Sequence, residues 1–355
     1  MRFIHLKCLM VFAALALAAL CKAADDPARA NPHAGTKPRV ALLLPLDSPD
    51  FAAPADAVVR GCRAAFSVTD DGPAIEVRRT DASIARIAAQ YDAAADQGAA
   101  VVIGPMTRDG VSALAEGGRI SVPTLALNAP ENAAAIPHNL YVFGLSIESE
   151  ARQAARVAFA DGLRSAALVR AASPLARRTV KAFADTWFAL GGNVSDVLDF
   201  DVGTDLRDLR ERMSRSRADM VFLAVDATQA QAVRPYLNSQ IPVYATSRIN
   251  IGQSDPLRNL DLNGVRFVEM PWLAQPDNMT AMVFPRPESL PDELQRFYAL
   301  GIDACRIANQ LIERRASLSI EGVTGSLHLK DDGFIEREGV QSVIQDGTGV
   351  AIEAR

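Results

Sequence analysis

Four polar side chains that could bind a charged ligand stand together directly after an apolar run. Residues 241–250 read IPVYATSRIN, in which Thr246, Ser247, Arg248 and Asn250 follow three apolar positions. A guanidinium donates paired hydrogen bonds to a carboxylate or a phosphate. In open α/β sheets the carboxyl ends of the strands face the ligand crevice. The sequence therefore predicts that Arg248 either clamps an anion or pairs across a cleft.

The same pattern recurs at other places in the chain: a polar residue stands just after an apolar strand or at the start of a helix. The candidates for ligand or cleft contacts are Asp47, Ser48, Thr107, Asn128, Glu148, Thr246, Ser247 and Arg248. For every candidate except Arg248, turn or helix-cap chemistry explains the residue type at least as well as ligand contact does.

Catalysis requires a convergent set of groups, and the sequence does not contain one. His33, His138 and His328 are each isolated from any metal-ligand spacing and from any cysteine–acid arrangement. The nucleophile-elbow, Walker A and H-E-x-x-H motifs are also missing. We therefore predict a protein that is not an enzyme, with no catalytic residues, no metal and no cofactor.

Apolar runs of strand length alternate with amphipathic helices along most of the chain. Residues 39–45 and 99–103 are nearly continuous apolar runs, as is typical of strands that are buried on both faces. Between them, residues 83–97 carry apolar side chains at helical spacing. This succession predicts an α/β fold with mostly parallel sheets flanked by helices.

Composition sets broader limits on the function. The chain has 355 residues, 49% of them hydrophobic and 22% charged, which is typical of a globular protein with room for two domains. Its formal net charge of −5 argues against a nucleic-acid partner, since such proteins normally present a basic face.

The N-terminus has the order of a secretory signal peptide. Arg2 and Lys7 precede an apolar run, and small residues follow at Ala23 and Ala24. We predict a signal peptide over residues 1–24, a flexible lead-in over 25–37 and a periplasmic mature protein. Lipidation of Cys21 as an outer-membrane lipoprotein is the less favoured alternative, because a leucine rather than a small residue precedes it.

Cleavage at that place leaves two cysteines, Cys62 and Cys305, each on an apolar helical stripe. An oxidising compartment permits a disulfide between them. Two buried free thiols that act as small hydrophobic residues are the alternative. Spacing alone leaves both open, because it does not show whether the Cα atoms come close enough.

Seven segments, spread in order over the chain, resemble the LpoA/LppC family of penicillin-binding-protein activators, specifically their C-terminal domain. The matching segments are IGP at 103–105, VPTLALNAP at 122–130, VFGLSIESE at 142–150, PVYATSRIN at 242–250, MPW at 270–272, YALGIDA at 298–304 and GVTGSL at 322–327.

The resemblance implies a type I periplasmic-binding-protein fold of two lobes with three crossings between them. We expect lobe 1 over residues 38–143 plus 285–320, and lobe 2 over 144–284 plus 321–355. It also implies a non-enzymatic regulator of peptidoglycan synthesis that binds and activates a class A penicillin-binding protein. The alternative is a periplasmic receptor for an amino acid or a similar small ligand.

Overall fold

Two sheets, each with a parallel core, organise the chain. The structure is a computed structural model that describes residues 37–69, 72–118, 120–132, 136–201, 203–252, 256–314 and 317–352. The predicted signal peptide, the lead-in before Lys37 and Cys21 lie outside the described residues.

Lobe 1 contains a five-stranded parallel sheet in the order β2-β1-β3-β4-β5. Its elements are β1 (Arg39–Leu44), α1 (Ala52–Ser67), β2 (Ala74–Arg79), α2 (Ile84–Asp96), β3 (Val101–Ile103), α3 (Arg108–Gly117), β4 (Thr124–Ala126) and β5 (Leu140–Val142). Five of the six residues of β1 are buried, because helices cover both faces of the sheet.

Lobe 2 begins with helix α4 and continues the same alternation. Its elements are α4 (Ile147–Ala160), β6 (Ser165–Ala171), α5 (Pro174–Ala189), β7 (Asn193–Phe200), α6 (Leu206–Arg215), β8 (Met220–Ala224), α7 (Ala227–Val233), β9 (Val243–Ala245) and β10 (Arg266–Glu269). Short 3-10 turns occupy Arg234–Tyr236, Ser247–Ile249 and Pro256–Leu262.

The chain then returns to lobe 1 and finally to lobe 2. The last elements are α8 (Pro271–Ala274), α9 (Met279–Met282), α10 (Asp292–Ile312), β11 (Ser319–Glu321), β12 (Ser326–Leu329), β13 (Ile335–Glu338), β14 (Val340–Gln345) and β15 (Thr348–Ala351). Strands β11 to β13 form a small antiparallel sheet. Strands β14 and β15 complete the lobe 2 sheet in the order β15-β14-β10-β9-β8-β6-β7, with β14 antiparallel to β10.

The buried side chains divide between the lobes at positions that differ from the expected boundaries. The apolar cluster of lobe 1 includes Trp272 and Phe284, and later Val323 and Leu327. Trp272 packs on Tyr298 of α10 with ring centroids 5.5 Å apart. The expected boundary between residues 284 and 285 assigned Trp272 and Phe284 to lobe 2, whereas both pack in the apolar cluster of lobe 1. We therefore propose residues 38–143 plus 270–338 as lobe 1, and 144–269 plus 339–352 as lobe 2.

Helix α10 packs directly against α1 because two glycines let the backbones approach. A side chain at Gly61 would overlap the carbonyl oxygen of Tyr298, and one at Gly301 would overlap the carbonyl oxygen of Val58. The close approach also brings the residue after Gly61 on α1 near the residue one turn after Gly301 on α10.

The two cysteines lie at this contact. The Cα atoms of Cys62 and Cys305 are 5.3 Å apart and the structure joins their sulfurs as a disulfide. That separation falls in the usual range of about 4.4–6.8 Å for bridged cysteines. We propose that the bridge forms in the protein's own compartment and fastens α10, which comes late in the chain, to α1.

Replacing both cysteines by alanine is expected to lower the free energy of unfolding by about 2–5 kcal/mol, because the bridge closes a long loop in the unfolded chain. The two cysteines are 243 residues apart in sequence. Urea unfolding measures the loss, and a reductant should weaken the natural chain but not the double variant. Alkylation of both thiols in the unreduced, unfolded chain would show that they are free.

Candidate functional site

The predicted loop after β9 is largely buried. Thr246, Ser247 and Asn250 are 1%, 3% and 6% exposed, whereas Arg248 is exposed. The 3-10 turn Ser247–Ile249 points most of the loop's polar groups inward, toward α4 and α10. The loop therefore has a backbone that is anchored in the interior and one side chain, that of Arg248, that is exposed to solvent.

The first anchor is a buried ion pair between the lobes. Glu150, in the first turn of α4, accepts a hydrogen bond from the backbone N–H of Ser247 at 2.9 Å and one from Arg337 of β13 at 2.7 Å. The two charged side chains are only 6% and 4% exposed. Arg337 also donates to the carbonyl oxygen of Thr324 at 3.1 Å. Because both charges are desolvated, removing one of them leaves an uncompensated charge in the interior.

The second anchor lies on the other side of the loop. Arg296 of α10 forms an ion pair with the buried Glu269 at the end of β10 and donates to the carbonyl oxygens of Ser247 and Asn250 at 3.3 and 3.2 Å. Asn250 donates to the same carboxylate at 2.8 Å. Burial alone lowers the pKa of Arg296, but the nearby carboxylates, above all Glu269, raise it above its usual value. The guanidinium therefore stays charged.

These anchors adjoin all three crossings between the lobes. Glu150 follows the first crossing, Glu269 stands at the second, and Arg337 precedes the third. Gln153 of α4 completes the set: its side chain donates to the carbonyl oxygen of Gly339 at 2.7 Å and accepts from the N–H of Gly339 at 3.1 Å. We call Glu150, Gln153, Glu269, Arg296 and Arg337 the crossing network.

At the edge of the cleft, the carboxylate of Glu148 lies near one arginine from each lobe. Arg178 of α5 donates to it at 2.9 Å, and Arg108, the first residue of α3 in lobe 1, lies 3.8 Å away. Burial raises the pKa of Glu148, but the hydrogen bond and charge of Arg178, helped by Arg108, lower it below its usual value. The carboxylate is therefore an ionised bridge between the lobes.

The candidates in lobe 1 serve the local structure. Asp47 forms ion pairs with Arg79 at 2.7 Å and Arg86 at 2.9 Å. The carbonyl oxygen of Ser48 accepts from the N–H of Ala52 at 2.8 Å, at the start of α1.

Asn128 and Thr107 lie around the loop that follows β3. Asn128 donates to the carbonyl oxygen of Met106 at 3.2 Å and so fastens that loop. Thr107 precedes α3, and its buried hydroxyl oxygen has no hydrogen-bond partner among the described residues.

A cavity of about 130 Å³ lies at the carboxyl edge of the lobe 2 sheet. Its lining residues come from the ends of β6, β8 and β9 and from the starts of α4, α5 and α7, and they include two of the predicted candidates, Thr246 and Arg248. The other candidates do not line this cavity: Asp47, Ser48, Thr107, Asn128, Glu148 and Ser247.

The crossing network was not predicted from the sequence. Two signals were present. Glu269 ends an apolar strand and precedes Met270-Pro271-Trp272, a place where a solvated carboxylate is unexpected. Arg337 lies on the inward-facing side of β13 in alternation with Glu336. Neither signal identifies the residue with which the charged side chain pairs, because such partners lie far apart in sequence: Glu150 and Arg337 are separated by 187 residues.

Comparison with known proteins identifies the family. Residues 33–341 match the family described as "LppC putative lipoprotein". The chain belongs to this family. One relative, "Penicillin-binding protein activator LpoA" of Glaesserella parasuis serovar 5, is 30% identical over 310 residues, covering 84% of this chain and 52% of the relative. This LppC-family chain therefore spans about half the length of the curated relatives it matches.

Solved structures agree with the predicted fold. "LpoA (YraM) C-domain from Haemophilus influenzae, a regulator of PBP1A" is 25% identical with a TM-score of 0.74, and the match covers 89% of this chain and all of that one. A "putative branched-chain amino acid ABC transporter" of Chromobacterium violaceum is 38% identical with a TM-score of 0.73, over 86% of this chain and all of that one. The two-lobed fold of the periplasmic-binding-protein type is confirmed.

The family also bears on location and chemistry. Its description as a lipoprotein and the names of the relatives indicate a protein of the cell envelope. Within the described ranges, no helix has the length and apolar character needed to cross a membrane. The same part of the chain holds no cluster of three or more metal-ligating side chains.

Replacing Arg337 by methionine is expected to lower the free energy of unfolding by about 3–5 kcal/mol, because Glu150 is left buried without its partner. Adding Glu150→Gln should recover part of the loss, since the amide still accepts from Ser247. Urea unfolding of the single and double variants measures both effects.

The matched control is Arg156→Gln. Arg156 pairs with Glu338 at 3.5 Å between the same two elements, α4 and β13, but both side chains are exposed. An exposed pair contributes about 0–1 kcal/mol. Equal losses for Arg337→Met and Arg156→Gln would show that the buried pair does not hold the lobes.

Proposed function

We propose that this chain is a non-enzymatic periplasmic regulator of peptidoglycan synthesis that binds and activates a class A penicillin-binding protein. The observation that carries the proposal is the match to the whole C-domain of the Haemophilus influenzae regulator of PBP1A. The curated relatives named as penicillin-binding protein activators support it, although the chain spans about half of their length. Periplasmic location after removal of residues 1–24 is part of the proposal.

The crossing network supports a regulator more than a solute receptor. Two-lobed receptors typically close around their ligand by hinge motion. Here the segments that would act as hinges adjoin two ion pairs. The Glu150–Arg337 pair is buried, and in the Glu269–Arg296 pair the carboxylate is buried while the guanidinium is 19% exposed. A hinge motion that separated these charges would leave them desolvated and unpaired, which costs several kcal/mol for each pair. The two ion pairs therefore favour the arrangement of the lobes in which they are formed, which supports a regulator that presents an ordered outer surface.

The described residues also support a protein without catalysis. Ser319 and His328 form the closest pair of a hydroxyl and an imidazole, with Oγ 3.1 Å from Nδ1 across β11 and β12. Both side chains are exposed on the small sheet, and no carboxylate among the described residues hydrogen-bonds the imidazole to orient it. Such a pair has neither the fixed geometry nor the shielding from water that nucleophilic catalysis needs.

The test is binding and stimulation with purified partners. The full chain is mixed with a class A penicillin-binding protein of the same organism, and both the dissociation constant and the rate of peptide cross-linking are measured. We expect saturable binding and a faster rate. A monofunctional class B synthase serves as the control partner, and Ser319→Ala should stimulate as well as the natural chain does.

Two outcomes would contradict the proposal. Absence of binding to every class A synthase of the organism would exclude the activator role. Loss of stimulation in Ser319→Ala, with binding intact, would instead point to a catalytic contribution from the exposed pair.

A further inference from the structure

A group of apolar side chains on lobe 1 lies exposed without a role in the fold. Met279, Met282 and Val283 are 87%, 66% and 57% exposed. They occupy α9 and the residue after it at positions i, i+3 and i+4, so all three lie on one side of a helical turn. Single exposed apolar residues are normal on a protein surface, whereas neighbouring ones form a patch of the kind that marks an interaction site. We call these three residues the α9 patch.

The opposite side of the turn fastens the α9 patch to lobe 1. Ala281 and Phe284 are buried in the apolar cluster of that lobe. The side chain of Asn278 accepts from the N–H of Ala281 at 3.3 Å, at the start of the turn. Beyond its end, Tyr298 of α10 donates to the carbonyl oxygen of Pro285 at 2.7 Å. The patch is therefore held in one position, and an ordered surface loses less entropy when a partner binds.

The composition of the segment matches the centre and rim of a protein interface. Residues 278–285 include no charged side chain, and methionine is enriched at interfaces, where its flexible thioether adapts to the opposing surface. Asp277 precedes this run and Glu288 follows it, and both are exposed. Between them, Arg286 stacks over the ring of Trp272 at 4.0 Å and donates to the carbonyl oxygen of that residue at 2.8 Å. The patch therefore has an apolar centre and an acidic rim.

The charge of the whole lobe restricts the partner further. The described residues of lobe 1 include 21 acidic and 13 basic side chains, a net charge of −8, whereas those of lobe 2 include 15 acidic and 16 basic ones. A second copy of this chain would bring a surface of the same sign against the patch, and so would an anionic membrane. The charge distribution therefore favours a protein partner whose apolar contact is surrounded by lysine and arginine.

We propose that the α9 patch is the surface on which a class A penicillin-binding protein docks, through an apolar contact that basic side chains of the synthase surround. The identity of this partner rests on the proposed function, whereas the position of the surface rests on the exposed side chains and the acidic rim. The patch contains no member of the crossing network, so docking leaves both ion pairs in place.

The experiment measures the Kd of the purified full chain for a class A synthase of the same organism. Replacing Met279 and Met282 together by glutamine keeps the side-chain length and removes the apolar surface, at positions that are too exposed for the fold to depend on them. We expect the Kd to rise at least about tenfold, with an unchanged thermal midpoint. The matched control is Leu257→Gln with Leu260→Gln, a pair in lobe 2 that is 78% and 44% exposed and should leave the Kd unchanged.

The acidic rim is tested by reversing one charge. Glu288→Lys should slow association with the synthase several-fold at low ionic strength and much less at high ionic strength, because salt screens exposed charges. Asp261→Lys reverses an exposed acid of lobe 2 and controls for the change in net charge. Equal effects of the two reversals would show that overall charge, rather than the rim, attracts the partner, and would contradict the charge argument.

Oxidation maps the contact in the natural chain. Met279 and Met282 are exposed, whereas the other methionines in the described ranges are at most 8% exposed. Hydrogen peroxide transfers one oxygen atom to an exposed thioether, which gives the sulfoxide and water, and mass spectrometry of peptides locates the product. We expect the class A synthase to slow oxidation at both methionines, and a class B synthase to leave the rate unchanged. Equal rates with the two synthases would place the contact elsewhere.

The possible failures are distinguishable. If the natural chain binds the class A synthase and the methionine double variant binds equally tightly, the docking surface is wrong and the proposed function stands. If the natural chain binds no class A synthase of the organism, the proposed function fails, and with it the partner named here. Self-association of the natural chain that is lost in the double variant, measured by sedimentation, would show that a second copy covers the patch instead.

Discussion

Two ion pairs at the lobe crossings constrain the rest of the structure. Glu150, Arg337 and Glu269 are buried and Arg296 is largely buried, so each carboxylate depends on its arginine partner. Their partners come from α4, β10, α10 and β13, so these elements must keep their relative positions. The loop after β9 is held between the two pairs, through the backbone of Ser247 on one side and Asn250 on the other.

The fold could be predicted because its signals are local. Serine is a residue type that favours helix N-caps, and Ser146 and Ser173 each accept a backbone N–H three residues later at the starts of α4 and α5. Gly98 follows α2 with a positive φ of 75°, a conformation for which glycine is favoured after a helix. Alternation of apolar strands and amphipathic helices follows from the same short-range periodicity, and the family segments fixed the topology.

The site could be predicted only in part, because its contacts are not local. The sequence indicated a crevice at Thr246 and Arg248 since both follow a buried strand, and both line the cavity. It did not indicate that Ser247 would be bound by Glu150, which is 97 residues away. The lobe boundaries differ for the same reason: residue 272 was expected in lobe 2, but Trp272 packs on the ring of Tyr298 in lobe 1.

A fixed arrangement of lobes changes what this fold is suited to do. A transport receptor must open to release its solute, so its hinge has to move at little cost. A regulator that binds a large partner benefits instead from lobes that move little, because a surface that is already ordered loses less entropy on association. The ion pairs of the crossing network favour that second property over closure around a ligand.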